Sequence, residues 1–255
     1  MSDRRATRWV LLRGLTRGAA HWGDFAQRLD AALPLPEPAL AIDLPGNGTR
    51  HRERSPARVD AMVEALRASL HAAKGRPPYR VVAMSLGAMV AIEWARRRPG
   101  EIESAALINT SLRPFSPPWQ RLRPAAFARL LGLLLRGADA RAWERAILAL
   151  TTRQAPAGTL ERWIALREAQ PVGRANALRQ LLAAARFRAP TDAPAARLLL
   201  LASARDALVD PRCSQALQAA WRLEADRRHE HAGAGHDLPL DDAAWVIERL
   251  RALDR

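Results

Sequence analysis

Ser85, Asp206 and His236 are the side chains whose types and surroundings point to acyl transfer. A serine hydroxyl at its ordinary pKa is a weak nucleophile, so it needs a base beside it and a third group to hold that base. Ser85 lies in Ala83-Met84-Ser85-Leu86-Gly87, between an apolar β-branched run and a stretch of helical periodicity. A serine placed so, with small residues two positions to either side, reads as a nucleophile elbow in its A-x-S-x-G form. The sharp turn lifts the hydroxyl clear of the sheet and aims the Leu86 backbone N–H and the helix N-terminus at the same point. Asp206 falls in the loop just beyond a second apolar run at 197–202. Asp210 is its rival, although it directly precedes Pro211 and reads as the start of a helix. His236 follows Gly233-Ala234-Gly235, after the last strand pattern and before the last helix. The order serine, acid, histidine is the one that an elbow serine requires. His229 and His231 lie two apart on a strand and read as structural, and His21, His51 and His71 read as surface residues. A second donor for oxyanion charge is expected in the loop after the first strand, where Arg13-Gly14-Leu15 turns tightly, and the N–H of Leu15 is assigned.

The elements that must position these groups follow from periodicity. Strand runs are expected at 7–13, 39–44, 80–84, 105–109, 197–202 and, weakly, 226–231, alternating with helices over 20–33, from Ser55-Pro56 onward, 86–97, 211–221 and 241–253. In the second of these helices Val59, Met62, Val63, Leu66 and Leu70 form the buried stripe. Such alternation implies an α/β fold with a mostly parallel sheet of about six strands, covered by helices on both faces. From 112 to 189 no strand pattern occurs, only helical runs broken by proline and glycine. The expected organisation is therefore a core of 1–111 and 190–255, with 112–189 as an inserted helical cap at the carboxyl end of the sheet, where open α/β sheets bind ligands. Trp119, Trp143 and Trp163 read as the cap's own core. Gly14, Met84, Phe115 and Trp119 are the candidates for contact with substrate, the last two because they follow a strand end.

Composition narrows the classes. One cysteine, Cys213, excludes an intramolecular disulfide, and no Cys/His cluster has metal-ligand spacing, so neither metal nor cofactor is expected. The first residues lack the apolar segment of a signal peptide, and the longest apolar run is too short to span a bilayer; a cytoplasmic protein without membrane association is expected. The net charge is +14. Lys74 is the sole lysine, which points to a GC-rich coding bias, but bias does not explain the excess of basic over acidic residues. The arginines are spread along the chain, which argues against nucleic-acid binding and leaves a softer preference for acidic partners.

Taken together, Arg13-Gly14-Leu15, Asp43-Leu44-Pro45-Gly46-Asn47-Gly48, the Ser85 elbow, the Asp206–Asp210 segment and Gly235-His236-Asp237 resemble the α/β-hydrolase superfamily, in its branch of serine esterases with a helical cap. Two departures stand out: Arg13 replaces the customary histidine before Gly14, and Ala83 replaces the first elbow glycine. The resemblance implies a serine hydrolase that cleaves a small carboxylic ester or thioester through an acyl-enzyme. It also leaves open an acyltransferase or lyase of the same fold, and a basic binding protein that retains the fold without chemistry. In one capped member that the chain resembles, an acidic carrier protein docks on a basic cap; here Arg113, Arg121, Arg123, Arg129, Arg179, Arg186 and Arg188 could form such a surface, or simply a solvated helical face.

Overall fold

A strand covered on both faces must be apolar at successive positions, and four segments of this chain are. In the computed structural model, which describes residues 6–254, six strands form one parallel sheet. They are β1 (Arg8–Leu12), β2 (Leu40–Ile42), β3 (Tyr79–Met84), β4 (Ile102–Ile108), β5 (Arg197–Ser203) and β6 (Arg228–His231). The spatial order is β2-β1-β3-β4-β5-β6. Met1 to Arg5, whose lack of an apolar segment is noted above, and Arg255 lie outside the described residues.

Successive side chains of the central strands enter opposite core layers. Val10, Leu12, Val81, Ala83 and Leu107 pack with Met62, Leu66 and Trp94 on one face. Trp9, Leu11, Val82, Met84 and Ile108 pack with Phe25, Leu29 and Val246 on the other. The chain leaves β1 toward β2 on one side and returns to pair β3 on the other. The carboxyl ends of β1 and β3 therefore mark the switch point, with Leu12 beside Ala83.

Between β4 and β5 the chain runs through helices only: Pro118–Arg121, Pro124–Arg136, Ala140–Thr151, Thr159–Ala169 and Arg174–Arg186. Trp143, Ile147 and Trp163 form a small core within this block. Among the described residues its ends are tied by one isolated bridge, Arg113 to Arg188.

Three local expectations are revised. The helix at Ser55-Pro56 begins instead at Val59, because the Ser55 hydroxyl donates to the Pro45 carbonyl at 2.7 Å rather than accepting from a helical N–H. The run 20–33 is divided into Ala19–Trp22 and Phe25–Ala32, with Gly23 at a positive φ of 57° between them. β4 starts at Ile102, ahead of the expected 105, since Ile102 is itself buried.

The elbow helix Leu86–Arg97 starts directly against the end of β1. A Cβ on Gly87 would stand 2.6 Å from the carbonyl oxygens of both Leu12 and Arg13. Backbone cannot swing aside as a side chain can. Gly87→Ala is therefore expected to destabilise the fold by roughly 1–3 kcal/mol, read from urea unfolding, whereas unchanged stability would show that the helix can retreat from β1.

Candidate active site

Ser85 adopts φ 54° and ψ −117°, a conformation that L side chains rarely take and that a folded site must impose. Its N–H donates to the Ile108 carbonyl at 2.9 Å, and its own carbonyl accepts from Thr110 Oγ1 at 3.2 Å. The turn is thus bonded to the end of β4 on both sides of the serine. Gly14 lies against it: a Cβ there would be 3.0 Å from Ser85 Cβ and 3.5 Å from Ser85 Oγ. Among the described residues neither the Leu15 nor the Leu86 backbone N–H has an acceptor, which leaves both donors available.

The acid and the histidine meet. His236 Nδ1 lies 2.6 Å from Asp206 Oδ2, with both side chains buried. Asp206 Oδ1 accepts from the N–H groups of Leu208 at 2.7 Å and Val209 at 2.9 Å, so the carboxylate is fixed before it meets the ring. A carboxylate oxygen against Nδ1 accepts the Nδ1–H, which leaves Nε2 as the ring nitrogen free of Asp206. Asp210, the rival acid, is engaged by Arg212 through the backbone N–H, Nε and Nη2. That hydrogen bonding holds its carboxyl below the usual range. Among the described residues no hydrogen bond joins the Ser85 hydroxyl to the His236 ring, and Nε2 has no other partner. Bonds of this kind commonly tighten only around bound substrate.

Several residues that hold the site escaped the sequence reading. Asn109, at φ 46°, donates from Nδ2 to the carbonyls of His236 at 2.8 Å and Gly235 at 3.3 Å and to Ser203 Oγ at 2.9 Å. Its Oδ1 accepts from Ser203 N–H at 2.8 Å. One buried amide thus clips the histidine loop to the ends of β4 and β5. Arg13, the departure from the family pattern, has a partner of its own: it forms a buried bidentate pair with Asp237, beside the histidine, with Nη1 2.9 Å from Oδ1 and Nη2 bonded to Oδ2. The loop between Gly14 and Gly18 is fixed from two directions. The Asp43 carboxylate accepts from Ala19 N–H at 2.6 Å and Thr49 N–H at 2.9 Å, and Gln180, from the helical block, accepts from Thr16 N–H at 2.8 Å.

The remaining candidates are dispersed. Met84 is buried in the core layer beneath the elbow and Phe115 stacks edge-on against Trp221 at 6.1 Å; Trp119, expected in the core of the block with Trp143 and Trp163, is instead 64% exposed, because its short helix presents it to solvent. His231 shapes the glycine-rich loop by accepting from Gly233 and Ala234 N–H. His21 is not a free surface residue: it accepts from Arg17 Nη1 at 3.0 Å and lies against the Trp163 ring at 5.7 Å. Arg17 in turn pairs with the buried Glu144 at 2.7 Å and lies over Trp163, so it joins the Gly14–Gly18 loop to the block. Among the described residues no group of three His, Cys, Asp or Glu side chains is placed to hold a metal.

Burial, and then the charges of Arg17 and Arg13, hold the His21 pKa well below its ordinary value. The unfolded chain protonates this ring near pH 6.5 and the native one resists. Stability is therefore full above that pH and declines as pH falls toward the native pKa, by at most about 1.4 kcal/mol per pH unit. Urea unfolding at pH 7 and pH 5 is expected to show a smaller loss for His21→Gln than for the parent chain; equal losses would remove His21 from the effect. Asn109→Ala leaves three buried acceptors without their donor and frees the histidine loop. Ester turnover is expected to fall about tenfold or more through kcat rather than KM, with a shifted acid limb in the pH profile. A pure stability loss with an unmoved profile would make Asn109 structural only.

The family model described as the alpha/beta hydrolase family matches residues 9–249. RutD of Klebsiella pneumoniae (strain 342), named as a carbamate hydrolase, is 30% identical over 246 residues, which cover 92% of this chain and 86% of that protein. The pimeloyl-[acyl-carrier protein] methyl ester esterase of Aromatoleum aromaticum is 29% identical over 250 residues, covering 94% and 84%. Among solved structures, the esterase RhEst1 from Rhodococcus sp. ECU1013 superposes with a TM-score of 0.72 at 17% identity, covering 97% of this chain and 89% of its own, a likeness of fold. With its six-stranded sheet and a family match across nearly its whole length, the chain belongs to the α/β-hydrolase family.

Proposed function

We propose that the chain cleaves a small carboxylic ester or thioester with Ser85 as nucleophile, His236 as base and Asp206 as its orienting acid. The observation that carries this reading is the buried bond between His236 Nδ1 and Asp206 Oδ2, on loops that Asn109 ties to the strand end bonded to the serine turn. As Ser85 Oγ attacks the carbonyl carbon, His236 Nε2 takes the hydroxyl proton. Asp206 stabilises the imidazolium through Nδ1–H. The negative oxygen of the tetrahedral intermediate is received by the unengaged N–H groups of Leu86 and Leu15, each donor of this kind being worth about 3–4 kcal/mol of barrier. His236 then protonates the departing alcohol or thiol. Water, deprotonated by the same ring, releases the acid from the acyl-enzyme.

In this reading the helical block 112–189 is the cap that selects the acyl group, with Gly14, Met84, Phe115 and Trp119 as candidates for contact. Its arginines would suit an acidic carrier. A carbamate presents the same carbonyl to the same nucleophile, so RutD's name adds one substrate to try.

Hydrolysis of p-nitrophenyl acetate, butyrate and a p-nitrophenyl carbamate, with fluorophosphonate labelling at one equivalent, tests the scheme. Ser85→Ala is expected to abolish labelling and to reduce kcat by about 10³-fold or more. Asp206→Asn is expected to fall by a comparable factor and Asp210→Asn to retain most activity. Turnover that survives Ser85→Ala, or loss with Asp210→Asn alone, would overturn the assignment.

A further inference from the structure

The arginines are spread along the chain, but the acids are not. Residues 112–189 hold fourteen arginines against four acids, ten of the fourteen net positive charges; the rest of the chain has 26 basic against 22 acidic residues. The same block carries every large hydrophobic side chain that stands exposed among the described residues: Trp119, Phe127, Leu131, Leu135, Leu178 and Leu182.

The two features meet on two helices. Pro124–Arg136 packs Leu130, Leu133 and Leu134 against the small core of Trp143, Ile147 and Trp163. Its opposite side presents Phe127, Leu131 and Leu135, spaced four apart, to solvent. The helix is therefore apolar nearly all round, a composition that belongs inside protein or in lipid, yet one side is covered by neither. Arg174–Arg186 repeats the arrangement with Leu178 and Leu182 exposed. Neither helix contains an acid. Leu133 and Leu134, on the packed side of the first helix, line one cavity with Arg174 and Ala177 of the second, so the two helices neighbour one another within the block.

We infer that this face of the block is a docking surface for an anionic lipid surface, lying in the headgroup layer with its leucines and phenylalanine inserted and its arginines on the phosphates. Arg129 stands exposed on the first helix and Arg174 and Arg186 on the second, and exposed apolar and basic side chains without acids are the composition of interfacial helices. A second copy of the chain is a poor occupant, because a two-fold interface would set arginine against arginine with no acid between. An acidic protein would have to supply a pocket for each protruding tip, Leu135 being 76% exposed, whereas a fluid acyl layer receives tips at any spacing. No helix among the described residues is long and apolar enough to cross a membrane, so the contact is peripheral. Arg123, at the head of the first helix, donates its backbone N–H to the Leu208 carbonyl, which puts the start of that helix against the loop of Asp206.

Sedimentation of the full chain with vesicles of phosphatidylcholine, with and without phosphatidylserine, tests this. Binding is expected with phosphatidylserine, weakened by salt. It is expected to fall about tenfold or more in Phe127→Ser/Leu131→Ser/Leu135→Ser, with hydrolysis of a soluble ester unchanged. Leu135→Ser alone, at the most exposed of the three positions, serves as a milder probe should the triple variant fold poorly. Absence of binding to either vesicle, or equal binding to both, would overturn the inference. So would a dimer in light scattering that the variants dissociate, or capture of an acidic acyl-carrier protein without vesicle binding.

Discussion

Two backbones approach within van der Waals contact where the strand order reverses, and the rest of the site depends on that approach. Gly87 lies against the last carbonyls of β1, and Gly14 lies against Ser85. A side chain at either place would part the elbow from the loop that follows β1. The unengaged N–H groups of Leu15 and Leu86 belong to those two segments, so the spacing of these two donors depends on both glycines. Parallel pairing of β1 with β3 sets the coarse placement, Leu12 beside Ala83, and the missing Cβ atoms allow the last ångström.

Loops that carry chemistry gain little from burying apolar area, so polar ties must fix them. Asn109 does this for the histidine loop, Asp43 and Gln180 for the Gly14–Gly18 loop, and the Arg13–Asp237 pair joins the chain before the one to the chain after the other. The pair is nearly solvent-free, and desolvation offsets much of its Coulomb attraction; such a pair contributes geometry more than net stability. Its bidentate form fixes direction as well as distance. Removing one partner is another matter, since it strands a buried charge at a cost of about 3–5 kcal/mol.

This division explains what could be read from the sequence. The central strands, the elbow serine and the glycine-rich turn before His236 announce themselves within a few residues, because sheet burial and tight turns impose local patterns. Asn109, Gln180 and Arg13 announce nothing, since their partners lie 127, 164 and 224 residues away. Arg13 looked like a defect in a family pattern until Asp237 supplied its partner. Ser55 shows the converse: a good local capping signal was overridden by a tertiary bond to Pro45. His21 read as a surface residue because neither Arg17 nor Trp163 can be recognised as its neighbour before the block is folded onto the core.

Charge follows the same division of labour. Outside the helical block nearly every basic residue has an acid to match it, and many of those acids serve as ties within the core: Glu101 holds Arg67 and Trp94, and Glu93 holds Arg96 and Arg97. Within the block, Glu144 alone holds two arginines, Arg17 and Arg167. The part of the molecule that fixes the chemistry is close to charge balance, and the excess sits on the part that covers it. Attraction between exposed charges is screened beyond about 8 Å at physiological ionic strength, so the surplus acts close to the surface of the block. The exposed arginines and leucines of the block can therefore change without disturbing the short polar ties beneath them, such as those of Asn109 and Asp43.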